Sequence, residues 1–380
     1  MKHIIIDTNF VFHDYFLRGK NIMALCNYAM RMGYEVYMPH VVVDEMVKQY
    51  KEDVEEQVKK INAINESWQR VSNGLTLVDN IDDEKLKSKY EIELDTRRHS
   101  LQIKTLDYPS VKHRNLALRD LYVHKPFRRS KEGNIGYRDA LIWESILEFC
   151  HRAHNDSEIY FISENIKDFA SNDRTELHDD LKIDLKNNGF SEDRVKLVTD
   201  IHKYVEEEIV ADLQVLEKFK DELTKTGGIG DIDVKTIIDE KVNNESIEFY
   251  ISEDEHMGPS PFIPYYYENP SIVNTEVSKI SYDVRKLSDS DSIITAIVEI
   301  EVDMDAFIYK GDLALIADDE YPDIINRNWN KHYVLVSDVA RFFIQIDILT
   351  DAEFNVITSI EQQVVSVKYD SGFKVSDLYN

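Results

Sequence analysis

The chain has few cysteines and no long hydrophobic run, and both shortages narrow the classes of protein that it fits. Its 380 residues include two cysteines, Cys26 and Cys150, whose spacing fits neither a disulfide framework nor a zinc site. No apolar stretch reaches the roughly 18–20 residues that a membrane-spanning helix needs. The N-terminus leads into a predicted strand rather than a signal peptide. The sequence therefore predicts a reduced, cytoplasmic protein.

Positive charge is also scarce, but the shortage is uneven along the chain. The formal net charge is −27. Residues 1–205 contain 31 Lys and Arg against 35 Asp and Glu, whereas residues 206–380 contain 14 against 37. Because the local field decides whether a phosphate backbone can approach, the total charge does not exclude nucleic acid as a partner of the first half.

The first 205 residues alternate short apolar runs with helical patterns, which is typical of βαβ units and a parallel sheet. Residues 83–123 have a helical and highly charged pattern without strand signals. We predict an α/β domain over residues 1–205, with a basic helical insertion at about residues 83–135. Within it we expect strands at residues 4–6, 35–38, 158–163 and 194–198, and helices at residues 21–32, 41–60 and 137–151.

The second half has a different pattern. Residues 206–227 are predicted to form a connecting helix, which a glycine cluster at residues 226–230 ends. Beyond it the apolar residues alternate with a period near two, as in an antiparallel sheet with one solvated face. The sequence therefore predicts an acidic, β-rich α+β accessory domain over residues 228–380. Its strands are expected at residues 292–303, 334–336, 342–349 and 363–367.

Four acidic positions of the first domain follow predicted strands or begin predicted helices. They are Asp7, the pair Asp44 and Glu45 in the first turn of helix 41–60, Asp139 and Asp168. Ligands of open α/β sheets lie beyond the carboxyl ends of the strands, and carboxylate oxygens are ligands that Mg²⁺ prefers. Converging acids would repel one another without a cation. The alternative is that these acids only cap helices, and for Asp44 the two explanations are equally good.

The segments around these acids resemble those of the PIN-domain nucleases in order and spacing. The resemblance covers roughly residues 1–200. It implies a Rossmann-like α/β/α fold, Mg²⁺ or Mn²⁺ as cofactor, and hydrolysis of RNA or sometimes DNA in toxin, RNA-processing or defence roles. The segments that carry it are Ile4-Ile-Ile-Asp-Thr-Asn9, Met38-Pro-His-Val-Val-Val-Asp-Glu45, Asp139-Ala-Leu-Ile142 and Ser163-Glu-Asn-Ile-Lys-Asp-Phe169.

The resemblance also implies roles for individual residues. Thr8 or Asn9 would orient Asp7 or a bound water. Asn165 stands where many members have an acid, and Glu164 is the nearby substitute, so the number of metal ions, one or two, stays open. Haloacid-dehalogenase-like phosphatases also open on a strand ending in Asp, but they need a second Asp where this chain has Asn9. The implied catalytic and metal-binding acids are Asp7, Glu45, Asp139 and Asp168, with Glu164 as a further metal ligand.

A locally basic segment lies between the second and third motifs. Residues 97–138 contain eleven Lys and Arg against three Asp and Glu. Lys and Arg supply most non-specific affinity for nucleic acid, and the interleaved Tyr108, Tyr122 and Phe127 offer faces for unpaired bases. The alternative is a solvated helical face whose cations pair with nearby acids. The predicted nucleic-acid-binding residues are Arg114, Arg119, Lys125, Arg128, Arg129, Lys131 and Arg138.

These features together predict a metal-dependent nuclease that acts on single-stranded RNA. The competing hypothesis is a PIN-like module that binds nucleic acid or a partner without cutting it. For the acidic second half we consider a protein partner or an autoinhibitory contact, in which it competes with nucleic acid for the basic segment. Acidity that serves solubility alone is the other explanation.

Overall fold

The computed structural model describes residues 2–78, 81–131, 133–251, 260–316 and 321–370. The chain divides into two compact units, Met1–Leu213 and Gln214–Asn380, called the first and second unit below. The division lies inside the segment 206–227 that the sequence predicts as the connecting helix.

A five-stranded parallel sheet forms the centre of the first unit, and it confirms the predicted fold class. Ile4, Ile5 and Ile6 are completely buried, as expected for a parallel strand that is covered on both faces. The strands of this unit are β1 (Lys2–Ile6), β2 (Glu35–Pro39), β3 (Ile103–Leu106), the hairpin strands β4 (Arg128–Ser130) and β5 (Gly133–Ile135), β6 (Glu158–Ile162) and β7 (Val195–Val198). The order in the sheet is β3-β2-β1-β6-β7.

Helices connect these strands. The first ends at Gly33, whose positive φ of 65° suits glycine at a helix C-terminus. The helices of the first unit are α1 (Lys20–Met32), α2 (His40–Val71), α3 (Asp83–Ser100), α4 (His113–Leu121), α5 (Tyr137–Arg152), α6 (Ile166–Phe169), α7 (Asp179–Asn187) and α8 (Ile201–Tyr204). A 3₁₀ turn covers Thr8–Val11 and a π turn covers Val205–Ile209. Over the described ranges, no helix is both long and apolar enough to cross a membrane.

Two local predictions are wrong. Residues 83–123 were expected to lack a strand, but β3 pairs in parallel with β2 at the edge of the sheet. Its only buried residues are Ile103 and Leu106, too short an apolar pattern to stand out in a charged segment. Helix α2 begins directly after Pro39, at His40, so Asp44 and Glu45 lie in its second turn rather than its first.

The second unit contains the predicted antiparallel sheet. Strands β11 and β13 pair over their full 19-residue lengths, from Asp291 opposite Asp351 to Tyr309 opposite Tyr333. Their residues alternate strictly in burial, so each strand turns one apolar face inward. The elements are α9 (Val210–Thr226), which spans the division, β8 (Gly228–Ile229), β9 (Ile232–Asp233), α10 (Val234–Lys241), α11 (Asn244–Ile251), β10 (Glu268–Lys286), β11 (Asp291–Tyr309), β12 (Asp323–Asn326), β13 (Tyr333–Asp351) and β14 (Ile357–Tyr369).

Candidate active site

The strand order of the parallel sheet reverses between β1 and β6, and the acids lie where these two strands end. Ligands of open α/β sheets bind at such a reversal, beyond the carboxyl ends of the strands. The backbone amide of Asp7 donates to the carbonyl of Ile162 at 3.0 Å, which ties the end of β1 to the end of β6. A cleft of about 1020 Å³ opens here. Its lining includes all the acids predicted from the sequence: Asp7, Glu45, Asp139, Glu164 and Asp168.

Asp7 lies at the buried base of the cleft. Its Oδ1 accepts a hydrogen bond of 2.7 Å from the amide of Thr8, and its Oδ2 accepts one of 2.6 Å from the hydroxyl of Ser163. The side-chain amide of Asn9 donates to Oδ2 at 3.3 Å. Burial nevertheless raises the pKa of Asp7 to about 6, although these hydrogen bonds favour the charged form. Asp7 is thus fixed in place with little solvent to stabilise its charge.

Glu45 reaches the cleft from α2, whereas its neighbour Asp44 does not line it. The hydroxyl of Thr8 donates to Oε2 of Glu45 at 2.9 Å, and Arg138 pairs with Oε1. Thr8 therefore holds two acids, one through its backbone and one through its side chain. Asp44 is exposed and accepts a hydrogen bond of 2.5 Å from Tyr108. Of the two adjacent acids, Glu45 is the candidate ligand.

Asp139 lies in the first turn of α5 and is the most electrostatically perturbed acid of the cleft. Its pKa is raised to about 7, first by burial and then by the negative charges of Asp7 and Asp168. Glu45 adds a smaller effect in the same direction. The side-chain amide of Asn165 donates to Oδ1 at 2.9 Å and partly opposes the shift. The other three carboxylates are therefore close enough to Asp139 to oppose its ionisation.

Asp168 is buried on α6 and supplies the test of whether the cluster fits a cation. Its Oδ1 lies 2.8 Å from Nε of Arg128, but no donor in the described part of the chain forms a hydrogen bond to it. A buried carboxylate needs a positive partner. Arg128 supplies one here, and a divalent cation would supply the same compensation. Carboxylate oxygens also match the hard ions Mg²⁺ and Mn²⁺. The donor set fits such an ion.

In the structure, two acids of the cleft are paired with arginines. Arg138 pairs with Glu45, and Arg128 lies beside Asp168. Among the described side chains, no three His, Cys, Asp or Glu are grouped so as to hold an ion as they stand. Two arginines therefore pair with two of the five acids that the resemblance implies as metal ligands.

Several residues in or beside the cleft were not predicted from the sequence as site residues, among them Ser163, Lys167 and Arg174. Ser163 is the first residue of the fourth motif, and its hydroxyl binds Asp7 while accepting a hydrogen bond of 3.1 Å from the amide of Asn165. Lys167 and Arg174 add positive charge to the lining. Lys167 lies inside the fourth motif, so its position beside Asp168 was a usable signal. Nothing in the sequence distinguishes Arg174 from other surface cations.

The predicted nucleic-acid-binding residues fall into different environments. Only Arg128 and Arg138 line the cleft. Arg114, Arg129 and Lys131 are exposed elsewhere, and the ammonium group of half-buried Lys125 donates to the carbonyl of Lys167.

Arg119 has to be removed from the set, because its guanidinium is buried and bound within the protein. Its side chain pairs with Asp184 and lies 3.9 Å from Glu144. Phe127 is also buried, at 3% exposure, so it cannot offer a face to a base. Both residues stabilise the fold beneath the basic segment instead of contacting a ligand.

The hairpin that carries Arg128 is held against the start of α5 by Gly136. This glycine has φ of 117°, and a Cβ there would lie 2.5 Å from the carbonyl oxygen of Pro126. Only glycine fits both the conformation and the space. The close approach joins the basic hairpin to the helix turn that presents Asp139.

Parallel strands with flanking helices and an acidic cleft at the strand reversal define a Rossmann-like α/β fold with a candidate metal site. Residues 4–169 match the family model of the PIN domain. The first half of the chain therefore contains a PIN domain, a fold whose members are usually metal-dependent nucleases that use Mg²⁺ or Mn²⁺ and bind nucleic acids. No family model matches the second half. No curated protein and no solved structure matches the chain.

Proposed function

We propose that the first unit is a metal-dependent nuclease that hydrolyses phosphodiester bonds in single-stranded RNA. The observation that carries the proposal is the convergence of four carboxylates from four separate segments on one cleft, where burial and then the charges of the other three raise the pKa of Asp139. A buried acid in a cleft with its pKa raised in this way is typical of a functional site. We propose a toxin, RNA-processing or defence role for this activity and do not choose among the three.

Each cleft residue has a role in this proposal. Asp7, Glu45, Asp139 and Asp168 would hold Mg²⁺ or Mn²⁺, with Glu164 as a further ligand at the exposed side. The bound ion would activate a water for attack on the phosphodiester and neutralise developing charge. Thr8, Asn9 and Ser163 orient Asp7, and Thr8 also orients Glu45. The side-chain amide of Asn165 would orient Asp139. Asn165 therefore has a role in the site, although many PIN domains have an acid at this position.

Cations around the cleft would attract the RNA backbone. Arg128, Arg138, Lys167 and Arg174 all line it, and phosphate contacts of this kind supply most sequence-independent affinity. The remaining exposed candidates, Arg114, Arg129 and Lys131, would extend the contact outside the cleft.

The alternative is a PIN-like module that binds nucleic acid or a partner without cleavage. The observation in its favour is the pairing of Arg138 with Glu45 and the approach of Arg128 to Asp168, which leaves fewer free carboxylates. We favour the nuclease because Asp7 and Asp139 make no ion pair with either arginine in the structure, and these two acids have raised pKa values.

Cleavage of end-labelled single-stranded RNA and DNA in Mn²⁺ or Mg²⁺ tests the proposal. The wild type is compared with Asp139→Asn, and Asp44→Asn serves as the matched control because Asp44 neighbours Glu45 but does not line the cleft. We expect metal-dependent cleavage that Asp139→Asn abolishes and Asp44→Asn retains. Binding of RNA without cleavage by the wild type would support the binding module. Equal cleavage by all three proteins would indicate a contaminating nuclease.

For the acidic second unit we propose what the sequence predicts, competition with nucleic acid for the basic segment or contact with a protein partner. Deletion of residues 228–380 should then raise cleavage and change its salt dependence. Unchanged activity and salt dependence would contradict the autoinhibitory role.

A further inference from the structure

Two aromatic side chains are exposed inside the acidic cleft, and the folding of the first unit does not account for them. Phe12 and Tyr137 both line the cleft, and they are 54% and 53% exposed. Large aromatic rings contribute most when they are buried, so an open ring in a polar cleft is unusual. The other large rings around the site, Trp143, Phe161 and Phe169, are completely buried.

Both rings lie close in sequence to the acids. Phe12 directly follows the 3₁₀ turn that begins after Asp7, and Tyr137 is two residues before Asp139 at the start of α5. The ring of Phe12 packs against that of His13, with centroids 3.9 Å apart, which supports one face of Phe12. The two rings therefore come from two different elements that also carry catalytic candidates.

We propose that Phe12 and Tyr137 are stacking platforms for unpaired bases, and that they restrict the cleft to single-stranded nucleic acid. The inference rests on the proposed nuclease function, which requires a phosphodiester at the acids. Aromatic side chains stack on bases regardless of sequence, but only where neighbouring bases do not already cover the base faces. A duplex presents no free base face. Its affinity for the cleft would therefore come only from phosphate contacts with the four cations, Arg128, Arg138, Lys167 and Arg174.

Binding can be measured without cleavage. Fluorescence anisotropy of a labelled 12-nucleotide single-stranded RNA is recorded in EDTA with the full-length chain. The variants are Phe12→Leu and Tyr137→Leu, which keep an apolar side chain, and Phe12→Trp, which keeps an aromatic face. Trp68→Leu is the matched control, since Trp68 is an aromatic side chain of the first unit that is 41% exposed but does not line the cleft. Thermal unfolding checks that each variant is folded.

We expect each Leu variant of a cleft residue to weaken binding roughly 5- to 100-fold, the range for loss of one base stack. Phe12→Trp should bind within about twofold of the wild type, and Trp68→Leu should do the same. An abasic strand with the same phosphates should bind the wild type more weakly. The Leu substitutions should not weaken its binding further, because they remove only stacking.

The assay separates this inference from the nuclease proposal. Equal weakening of the intact and abasic strands would overturn the stacking role, as would no weakening or a matching loss in Trp68→Leu. Absence of any RNA binding by the wild type would also overturn it. If RNA binds in the expected pattern but is never cleaved in Mn²⁺, the stacking role stands and the nuclease fails. If RNA is cleaved but the Leu variants bind normally, the nuclease stands and the stacking role fails.

Discussion

The two units use acidic residues in opposite ways. In the first unit, Asp7, Asp139 and Asp168 come from distant parts of the chain and converge on one cleft. In the second unit, Glu299, Glu301, Asp303 and Asp305 follow one another at every second position of β11. Successive residues on one face of a strand are about 7 Å apart, so the strand spreads these charges along its length.

The difference shows that backbone topology, rather than acid content, makes a site. Parallel strands end at the same edge of a sheet, so residues that follow them meet. A long antiparallel strand keeps its acids apart and leaves them to water or to surface ion pairs, such as Arg341 with Glu301 at 3.1 Å. The second unit is therefore less suited to bind a metal ion, although it is the more acidic of the two. Four predictions test this contrast.

The largest expected effect concerns single acids of the two units. Asp7→Asn should lower the rate of RNA cleavage about 10³-fold or more, as the loss of a catalytic group does in other hydrolases. Asp303→Asn should change the rate less than twofold, because its carboxylate lies on an exposed strand position. Initial rates with labelled single-stranded RNA in Mn²⁺ provide the measurement. A comparable loss of cleavage rate in both variants would contradict the difference between the two units.

Ion pairs of the two units should also differ. Arg119→Met leaves the half-buried carboxylates of Asp184 and Glu144 without their cation and should lower the free energy of unfolding by about 1.5–3 kcal/mol. Arg341→Met removes only surface pairs, with Glu301 and Asp370, and should lower the free energy of unfolding much less. Denaturant unfolding of each variant measures both values. Equal losses of unfolding free energy in the two variants would mean that Arg119 is more solvated than its position indicates.

The next effect compares two glycines of the basic hairpin. Gly136→Ala introduces a Cβ against the carbonyl of Pro126, whereas Gly133→Ala, also at positive φ, meets no atom within 4 Å. Gly136→Ala should therefore destabilise the first unit by about 1–3 kcal/mol more than Gly133→Ala does. It should also lower cleavage, since the turn that presents Asp139 must shift. Thermal unfolding and the cleavage assay together test this, and equal behaviour of the two variants would contradict it.

The smallest effect is a pH dependence specific to the first unit. Folding raises the pKa of Asp7 to about 6 and that of Asp139 to about 7, so between pH 4 and 7 the folded state binds more protons than the unfolded state. Stability in EDTA should therefore fall as the pH rises through this window. Asp139→Asn removes one of these groups and should raise Tm at pH 8 by about 2–4 °C, with little change at pH 4.5. A lower Tm for Asp139→Asn at pH 8 would contradict this prediction.

The sequence predicted the parallel fold and its candidate acids because their patterns are local. An apolar run that ends in Asp7, or an acid near the start of a helix such as Asp139, is visible within ten residues. The partner of Arg119 is not, because Asp184 lies 65 positions further along the chain. For the same reason the sequence could not show that Phe127 is buried while Phe12 and Tyr137 are exposed in the cleft.

Because β1 pairs with β6, the site can form only after both strands have been synthesised. The hydrogen bond between Asp7 and Ser163 spans 156 positions, and Asp168 follows later still. Chains fold from the N-terminus as they are synthesised, and contacts of large sequence separation form slowly. A nascent chain that has not yet released β6 carries Asp7, Glu45 and Asp139 without a cleft to unite them. The ribosome thus completes most of the first unit before the acids can meet in one cleft.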